Sequence, residues 1–207
     1  MSADIHPEFH RQLDRAARER ALGQRGVVLW LYGLSGSGKS TIAHALERRL
    51  NEAGRASVLL DGDNLRSGLN QGLGFSDEDR RENIRRAAEV ARLLAQSGLI
   101  VVAAFVCPFR SLRALAREIV GADDFVEVHV SAPYAVCAER DPKGLYRKAA
   151  AGGVAQFTGR DSGFEEPTPG EGAFVLDTTQ WPAEAAADML FQRLAPRISS
   201  DAVVATD

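Results

Sequence analysis

The sequence is poor in cysteine and has no long apolar run. Its two cysteines, Cys107 and Cys137, are too few and too far apart in 207 residues for a zinc knuckle or a disulfide framework. The longest apolar run, residues 99–107, is about half of the roughly 20 residues that a membrane-spanning helix needs, and Pro108 ends it. The first residues also lack the basic-then-apolar order of a signal peptide. We therefore expect a cytoplasmic protein that does not associate with membranes.

The chain also lacks a strong excess of either charge. It carries 25 Lys and Arg against 28 Asp and Glu, which gives a formal net charge of -3. This balance provides no general attraction to nucleic acids, so we expect no nucleic-acid partner. With 45% hydrophobic residues, the length suits one core. We predict an N-terminal arm or helix over 1–26, a single domain over 27–198 and a disordered tail over 199–207.

One stretch carries a complete phosphate-binding motif. Residues 27–32, VVLWLY, are typical of a strand buried on both faces, and GLSGSGKS at 33–40 fits G-x-x-x-x-G-K-[ST]. The glycines of such a loop let consecutive backbone N–H groups reach phosphate oxygens. Lys39 supplies a charge for the β- and γ-phosphates, and Ser40 a hydroxyl for Mg²⁺. A dinucleotide-binding fingerprint is excluded because Thr41 occupies the place of its third glycine.

Two aspartates follow the second predicted strand, residues 57–60. Asp61 and Asp63 lie at the carboxyl end of this strand, and open α/β sheets bind ligands at that edge. They are therefore candidates for Mg²⁺ binding and for a catalytic base. The alternative is an Asp-Gly turn that only caps the next segment.

A long helix is predicted after Ser76, which caps it, and Gly98 ends it. Its apolar stripe faces inward at helical spacing. Arg80 falls on the same inward face and Asn83 on its border. Because buried polar groups need partners, these two side chains either pair within the protein or bind an anionic ligand.

Predicted strands and helices alternate along the rest of the chain. Further strands are predicted at 99–106, 125–130 and 174–176, and further helices at 110–120, 133–139 and 182–194. This order predicts an α/β fold of the P-loop NTPase type: a three-layer sandwich in which helices cover both faces of a five-stranded parallel sheet.

The segment 140–172 interrupts the alternation and is rich in Gly, Pro and basic residues. We interpret it as a lid over phosphates, because a loop this long in a compact domain is usually functional. Its candidate phosphate-binding cations are Arg140, Lys143, Arg147 and Lys148. The alternative is a disordered excursion.

Three groups of residues resemble adenylylsulfate kinase. They are the run LLDGDNLRSGLNQGLGFSDEDRRENIRRAAEVARLLAQSG at 59–98, FVCPFR at 105–110, and RDPKGLY at 140–146 through FTG at 157–159. In that family, ATP phosphorylates the 3′-hydroxyl of adenosine 5′-phosphosulfate (APS) and gives PAPS, the activated sulfate donor. The resemblance spans residues 27–178. It implies ATP and APS as substrates, Mg²⁺ as cofactor, a homodimer and a functional link to ATP sulfurylase.

The resemblance also implies roles for individual residues. Arg66, Arg80 and Asn83 would hold the phosphosulfate and ribose, and Phe75 and Phe157 would sandwich the adenine. Lys143 and Leu145 would lie in the lid beside the substrate, while the backbone of Val106 and Cys107 lines its pocket. We expect ATP to be bound by Gly33, Leu34, Ser35, Gly36, Ser37, Gly38, Lys39, Ser40, Thr41 and Arg140.

The expected catalytic residues are Lys39, Asp63 and Asp61. Asp63 would accept the proton of the attacking hydroxyl, and Asp61 would order Mg²⁺ through water beside the Ser40 hydroxyl; the sequence alone permits the two aspartates to exchange roles. Lys39 and Mg²⁺ would neutralise the transferring phosphates.

The chain departs from the family at three positions. Ser67 replaces the usual histidine after the substrate arginine, Ser131 replaces an aspartate after the fourth strand, and Cys107 replaces a serine. We expect the Cys107 thiol to be buried, with a raised pKa, and therefore predict direct phosphoryl transfer rather than a phosphorylated enzyme.

Three other functions share features of this sequence. A regulatory GTPase would explain D-x-x-G at 141–144, but no N-K-x-D segment follows. A kinase of another small metabolite, such as a nucleoside or sugar, would share the scaffold but not the set of Arg66, Arg80, Asn83 and Phe75. A non-catalytic nucleotide sensor is disfavoured because Lys39, Ser40, Asp61 and Asp63 are all present.

Overall fold

The computed structural model describes residues 11–153, 157–168, 170 and 172–199. Its strands are β1 (Val27–Tyr32), β2 (Ser57–Asp61), β3 (Ile100–Phe105), β4 (Phe125–Ser131) and β5 (Phe174–Asp177). All neighbouring pairs are parallel, in the order β2-β3-β1-β4-β5. The structure thus confirms the predicted α/β class and the five-stranded parallel sheet.

Eight helices are described. They are α1 (Arg15–Leu22), α2 (Lys39–Glu52), α3 (Gly62–Arg66), α4 (Asp77–Gln96), α5 (Arg110–Val120), α6 (Tyr134–Arg140), α7 (Leu145–Ala150) and α8 (Ala183–Ile198). The helices α3 and α7 were not predicted from the sequence. Both are short, with five and six residues, so they contain too few turns to show a helical period. None of the helices in the described part of the chain is long and apolar enough to cross a membrane.

The central strand β1 explains why the sheet needs helices on both faces. All six of its residues are buried, and alternate side chains point to opposite faces. Leu29 and Leu31 pack with α2 and α8, whereas Val28 and Trp30 pack with α4 and α5. The resulting three layers place β1 and its two neighbours in the interior, so the loops at their carboxyl ends rest on a rigid base.

Helix α1 lies within the stretch predicted as an N-terminal arm or helix. The Asp14 carboxylate caps it, and the Arg15 guanidinium contacts the Asp124 carboxylate just before β4. These contacts attach α1 to the amino ends of the strands, opposite the phosphate loop. Residues 1–10 of the predicted arm and 200–207 of the predicted tail lie outside the described residues, and the division of the chain stays a prediction.

The segment predicted as a lid contains α7 and a return segment that contacts the core. The Glu165 backbone N–H donates to the Pro108 carbonyl at 2.8 Å, and the Arg110 backbone N–H donates to the Glu165 carboxylate at 2.6 Å. The Phe164 ring stacks on His129 of β4 with centroids 5.5 Å apart. The segment 140–172 therefore separates from the core after α6 and returns to it beside the residues that follow β3. The word lid is used only as a name for this segment, and its closing over phosphates stays a prediction.

Candidate active site

A cavity of about 920 Å³ opens at the carboxyl ends of β1, β2 and β3. It brings together both predicted binding sets. From the phosphate loop and Arg140 it is lined by Ser35, Gly36, Gly38, Lys39, Ser40, Thr41 and Arg140. From the predicted substrate set it is lined by Asp63, Arg66, Phe75, Arg80, Asn83, Val106, Cys107, Lys143, Leu145 and Phe157. Gly33, Leu34 and Ser37 belong to the same loop but do not line the cavity.

At two positions the backbone of the phosphate loop lies too close to neighbouring backbone for any residue but glycine. Gly33 has φ +155°, and a Cβ there would lie 2.3 Å from the Val130 carbonyl oxygen. Gly36 has φ +76°, and a Cβ there would lie 2.8 Å from the Cys137 carbonyl oxygen. Both contacts are with backbone atoms, which cannot move aside. The glycines therefore hold the loop tightly against β4 and α6.

Lys39 is the buried cation of this loop, with 8% of its surface exposed. Its ammonium donates hydrogen bonds to the carbonyl oxygens of Gly33 at 2.9 Å and of Leu34 at 2.7 Å. Burial, reinforced by the nearby Lys143 ammonium, lowers the pKa of Lys39 to about 8. An anionic ligand in the loop would compensate for this desolvation.

Ser40 and Asp61 meet beside the loop. The Ser40 hydroxyl donates to Asp61 Oδ2 at 2.7 Å, and Asp61 Oδ1 accepts from the Asp63 backbone N–H at 2.9 Å. Asp61 therefore also caps α3. The capping role that the sequence offered as an alternative is thus present, and Asp61 lines the cavity as well. No three His, Cys, Asp or Glu side chains within the described ranges form a metal cluster. A hydroxyl beside one or two carboxylates instead suits Mg²⁺, which keeps several waters and binds phosphates as well.

Asp63 and Lys143 form an ion pair in the wall of the cavity. The Lys143 ammonium contacts the Asp63 carboxylate, and both side chains are more than half exposed. The structure thereby brings a cation of the lid to one of the two candidate bases.

The predicted anion-binding residues stand on α3 and α4. The Arg66 guanidinium lies 4.4 Å from the centroid of the Phe75 ring and donates to the Leu73 carbonyl at 2.9 Å. Arg80 donates through Nε to the Phe75 carbonyl at 2.9 Å and through Nη1 to the Thr158 hydroxyl at 3.0 Å. Burial lowers the pKa of Arg80. These hydrogen bonds to backbone and hydroxyl oxygens hold both guanidinium groups at the wall of the cavity, which brings two positive charges to it.

The two rings predicted to sandwich an adenine differ in their surroundings. Phe75 is 57% exposed, whereas Phe157 is 7% exposed and packs edge-on against Tyr146, with centroids 4.8 Å apart. The Tyr146 hydroxyl donates to the Ser35 carbonyl of the phosphate loop at 2.7 Å. Phe157 therefore supports the tyrosine that contacts the phosphate loop, and it lines the cavity at the same time.

Cys107 follows β3 in a strained conformation, with φ +40°. Its side chain is buried, as expected, and burial raises the pKa of the thiol to about 12.

The buried Arg113 guanidinium donates to the Cys107 carbonyl at 3.3 Å and to the Glu165 carbonyl at 3.0 Å. Arg113 thus ties the end of β3 to the return segment of the lid, a role that the sequence did not reveal.

The opposite end of the cavity is formed by residues that follow β5. Arg140 donates to the Thr178 hydroxyl at 2.9 Å and to the Thr178 carbonyl at 3.0 Å. Thr178, Trp181, Pro182 and Ala183 line the cavity next to the phosphate loop. None of the four was predicted, although their place at the carboxyl end of a parallel strand was a usable signal.

Comparisons with known proteins agree with this arrangement. The sequence profile described as adenylylsulphate kinase matches residues 25–174. A protein of Phocaeicola vulgatus named adenylyl-sulfate kinase is 50% identical over 193 residues, which cover 93% of this chain and 94% of that protein.

Solved structures give the same result. The APS kinase of Mycobacterium tuberculosis, in complex with AMPPNP and APS, matches with a TM-score of 0.78 at 45% identity, covering 83% of this chain and 98% of that chain. A hexameric APS kinase from Thiobacillus denitrificans matches with a TM-score of 0.62 at 31% identity, covering 87% of this chain and 30% of that chain. On the family profile, the sequence identity and the shared fold, this chain belongs to the adenylylsulphate kinase family.

Proposed function

We propose that this chain transfers the γ-phosphoryl group of ATP to the 3′-hydroxyl of APS and releases PAPS and ADP. One observation carries the proposal: a single cavity joins the phosphate loop to the anion-binding set of Arg66, Arg80 and Asn83. ATP would enter with its phosphates on the loop. APS would occupy the other end, so that its hydroxyl approaches the γ-phosphate near Asp63.

The division of the cavity follows from its charges. Arg66 and Arg80 bring two positive charges to one end of the cavity, which suits the two negative charges of a phosphosulfate. Phe75 offers an exposed flat face to the adenine of APS, and Phe157 closes the pocket from the lid. Lys143, Leu145 and the backbone of Val106 and Cys107 would complete the pocket wall.

Asp63 is proposed as the general base. It lies at the start of α3 with a mostly exposed carboxylate that can receive the proton of the 3′-hydroxyl, whereas Asp61 is buried and accepts a hydrogen bond from Ser40. This difference favours Asp63 over Asp61 for proton transfer and Asp61 for the metal. Lys143, which contacts the Asp63 carboxylate, would bring positive charge to the reacting group.

Mg²⁺ is the proposed cofactor, and the donors present fit it. The Ser40 hydroxyl would coordinate the ion, and Asp61, whose Oδ2 lies 2.7 Å from that hydroxyl, would hold it through water. The bound ion would neutralise charge on the β- and γ-phosphates. Lys39 would add a second positive charge from the loop.

The base of ATP would occupy the end of the cavity beyond α2. Thr178 and the phosphate loop occupy the edge of the Arg140 guanidinium, so its faces are free to stack on a base. Trp181, at 45% exposed, lines the same end and offers a second flat surface. We propose that the adenine of ATP binds between these two side chains.

The location and assembly are also proposed. Two free, buried thiols and the need for ATP support a cytoplasmic location. The family resemblance supports a homodimer and a functional link to ATP sulfurylase. Light scattering of the purified chain would test the dimer directly.

Product analysis tests the proposed reaction. The enzyme is incubated with APS, Mg²⁺ and ATP labelled in the γ-phosphate, and the nucleotides are separated. We expect the label in a product from which a 3′-nucleotidase releases it as phosphate. Label that resists this enzyme would contradict transfer to the 3′-hydroxyl.

A further inference from the structure

Asn70 is a fully buried polar residue outside the cavity that nevertheless contacts one of its walls. It lies in the turn between α3 and α4, where its backbone N–H donates to the Leu65 carbonyl at 2.8 Å. Its side-chain Nδ2 donates to Asn83 Oδ1 at 2.9 Å. Asn83 lines the cavity, whereas Asn70 is not among the described residues that do so. Asn70 therefore reaches the site only through Asn83.

This hydrogen bond fixes which end of the Asn83 amide faces the ligand. An amide carries an acceptor oxygen on one side and two N–H donors on the other. Because Asn83 Oδ1 is turned towards Asn70, its NH₂ group points away from Asn70. Within the described ranges, no protein atom accepts a hydrogen bond from Asn83 Nδ2, and this nitrogen is not enclosed by protein. Its two N–H groups are thus available to a ligand beside Arg66 and Arg80.

Asn70 makes this contact at a cost. Its Oδ1 is buried without any hydrogen-bond partner in the described part of the chain. A desolvated acceptor without a donor destabilises the fold, so a residue of this kind calls for an explanation. A leucine has nearly the same shape and would avoid that cost, but it could not orient Asn83.

We infer that Asn70 is a positioning residue, which turns the Asn83 amide so that its NH₂ group donates to the acceptor oxygens of APS. The inference rests on the proposed function, because APS supplies the oxygens. It adds a residue behind the pocket wall to those that touch the substrate. It also explains why Asn70, whose amide oxygen has no hydrogen-bond partner in the described part of the chain, occupies a buried position.

The test compares Asn70→Leu with wild type and with a matched control, Gln71→Leu. Gln71 is the next residue in the same turn and is exposed, so the same change from amide to leucine should leave the kinetics at wild-type values. For Asn70→Leu we expect the KM for APS to rise about twofold to tenfold with the KM for ATP unchanged. The melting temperature should stay level or rise, since the orphan acceptor is gone.

A double-mutant cycle separates positioning from general damage. Asn83→Ala should raise the KM for APS, and adding Asn70→Leu to it should cause no further rise, because the group that Asn70 orients is already absent. Asn70→Ala serves as a second variant if the leucine lowers stability. An unchanged KM for APS in both Asn70 variants, or effects that add in the double variant, would overturn the inference. These outcomes leave the proposed function standing, whereas a wild type that does not turn over APS would overturn both.

Discussion

Lys39 allows the electrostatics of the phosphate loop to be tested by pH alone. Burial lowers the pKa of this ammonium to about 8, so the free enzyme loses the Lys39 proton as the pH rises through 8. Bound phosphates favour the charged form, so ATP binds preferentially to the protonated enzyme. The sign follows directly: the affinity for ATP should be intact below pH 8 and fall above it.

The size of the effect follows from the protonated fraction. With a pKa of about 8, that fraction falls from about 0.9 at pH 7 to about 0.1 at pH 9. If only the protonated form binds, the dissociation constant rises about tenfold over this interval, or about 1.4 kcal/mol. A lysine at the ordinary value of 10.5 would still be almost wholly charged at pH 9 and would give no change.

The assay is calorimetric titration with Mg²⁺ and a non-hydrolysable ATP analogue at several pH values. Lys39→Ala should be inactive and should bind the ATP analogue weakly, with no pH dependence between pH 7 and 9. Its melting temperature should stay near the wild-type value, because the buried charge and its two hydrogen bonds to carbonyl groups are lost together. Lys143→Ala should move the midpoint upward, because Lys143 lowers the pKa of Lys39. A wild-type dissociation constant that is flat from pH 7 to 9 would refute this reasoning.

Four further predictions concern single side chains. Asp63→Asn should lower kcat on the order of 10²–10⁴-fold; the same loss in Asp61→Asn with an active Asp63→Asn would reverse their roles. Phe75→Ala should raise the KM for APS about 5- to 150-fold, as expected when a stacking contact is lost. A rise in the KM for ATP alone would show that Phe75 belongs to the ATP site and that its assignment to the APS site is wrong. Cys107→Ala should keep kcat within about tenfold, and γ-labelled ATP without APS should leave the enzyme unlabelled; label on Cys107 that moves into product would show a phosphorylated intermediate. ATP should change the fluorescence of Trp181, and Trp181→Ala should abolish that change and raise the KM for ATP; an unaltered signal in this variant would exclude Trp181 from the base site.

The fluorescence change can be assigned to one residue because the chain has only two tryptophans. Trp30 is fully buried in β1 and stacks on Phe105, with ring centroids 4.9 Å apart. It is therefore shielded from a nucleotide, whereas Trp181 lines the cavity.

The sequence predicted the sheet and its covering helices well, because each carries a strong period. The predicted helix 110–120 coincides with α5, and the predicted cap Ser76 begins α4. Arg80 and Asn83 were placed on the inward side of the helix because a polar residue on an apolar helix face is conspicuous in a 3.6-residue period. Their place in a substrate site was implied by the family resemblance.

The remaining site residues act through contacts that no local pattern encodes. Asn70 lies in a turn, and its partner Asn83 is 13 residues away on α4. Arg113 pairs with Glu127 of β4 at 3.2 Å, both buried, although the sequence showed only a basic residue on a helix and an acidic one in a strand. Thr158 and Trp181 reach the cavity from loops, whose course depends on the tertiary fold.

The central claim, that APS is the acceptor, is tested most directly by ADP release with a panel of acceptors. The purified enzyme, ATP and Mg²⁺ are supplied in turn with APS, AMP, adenosine or gluconate, and ADP formation is followed by a coupled assay. The cations and the exposed ring at the acceptor end predict rapid turnover with APS and little with the other three, because only APS provides the phosphosulfate together with the adenine. Turnover of gluconate or adenosine at a rate equal to or above that with APS would contradict the account.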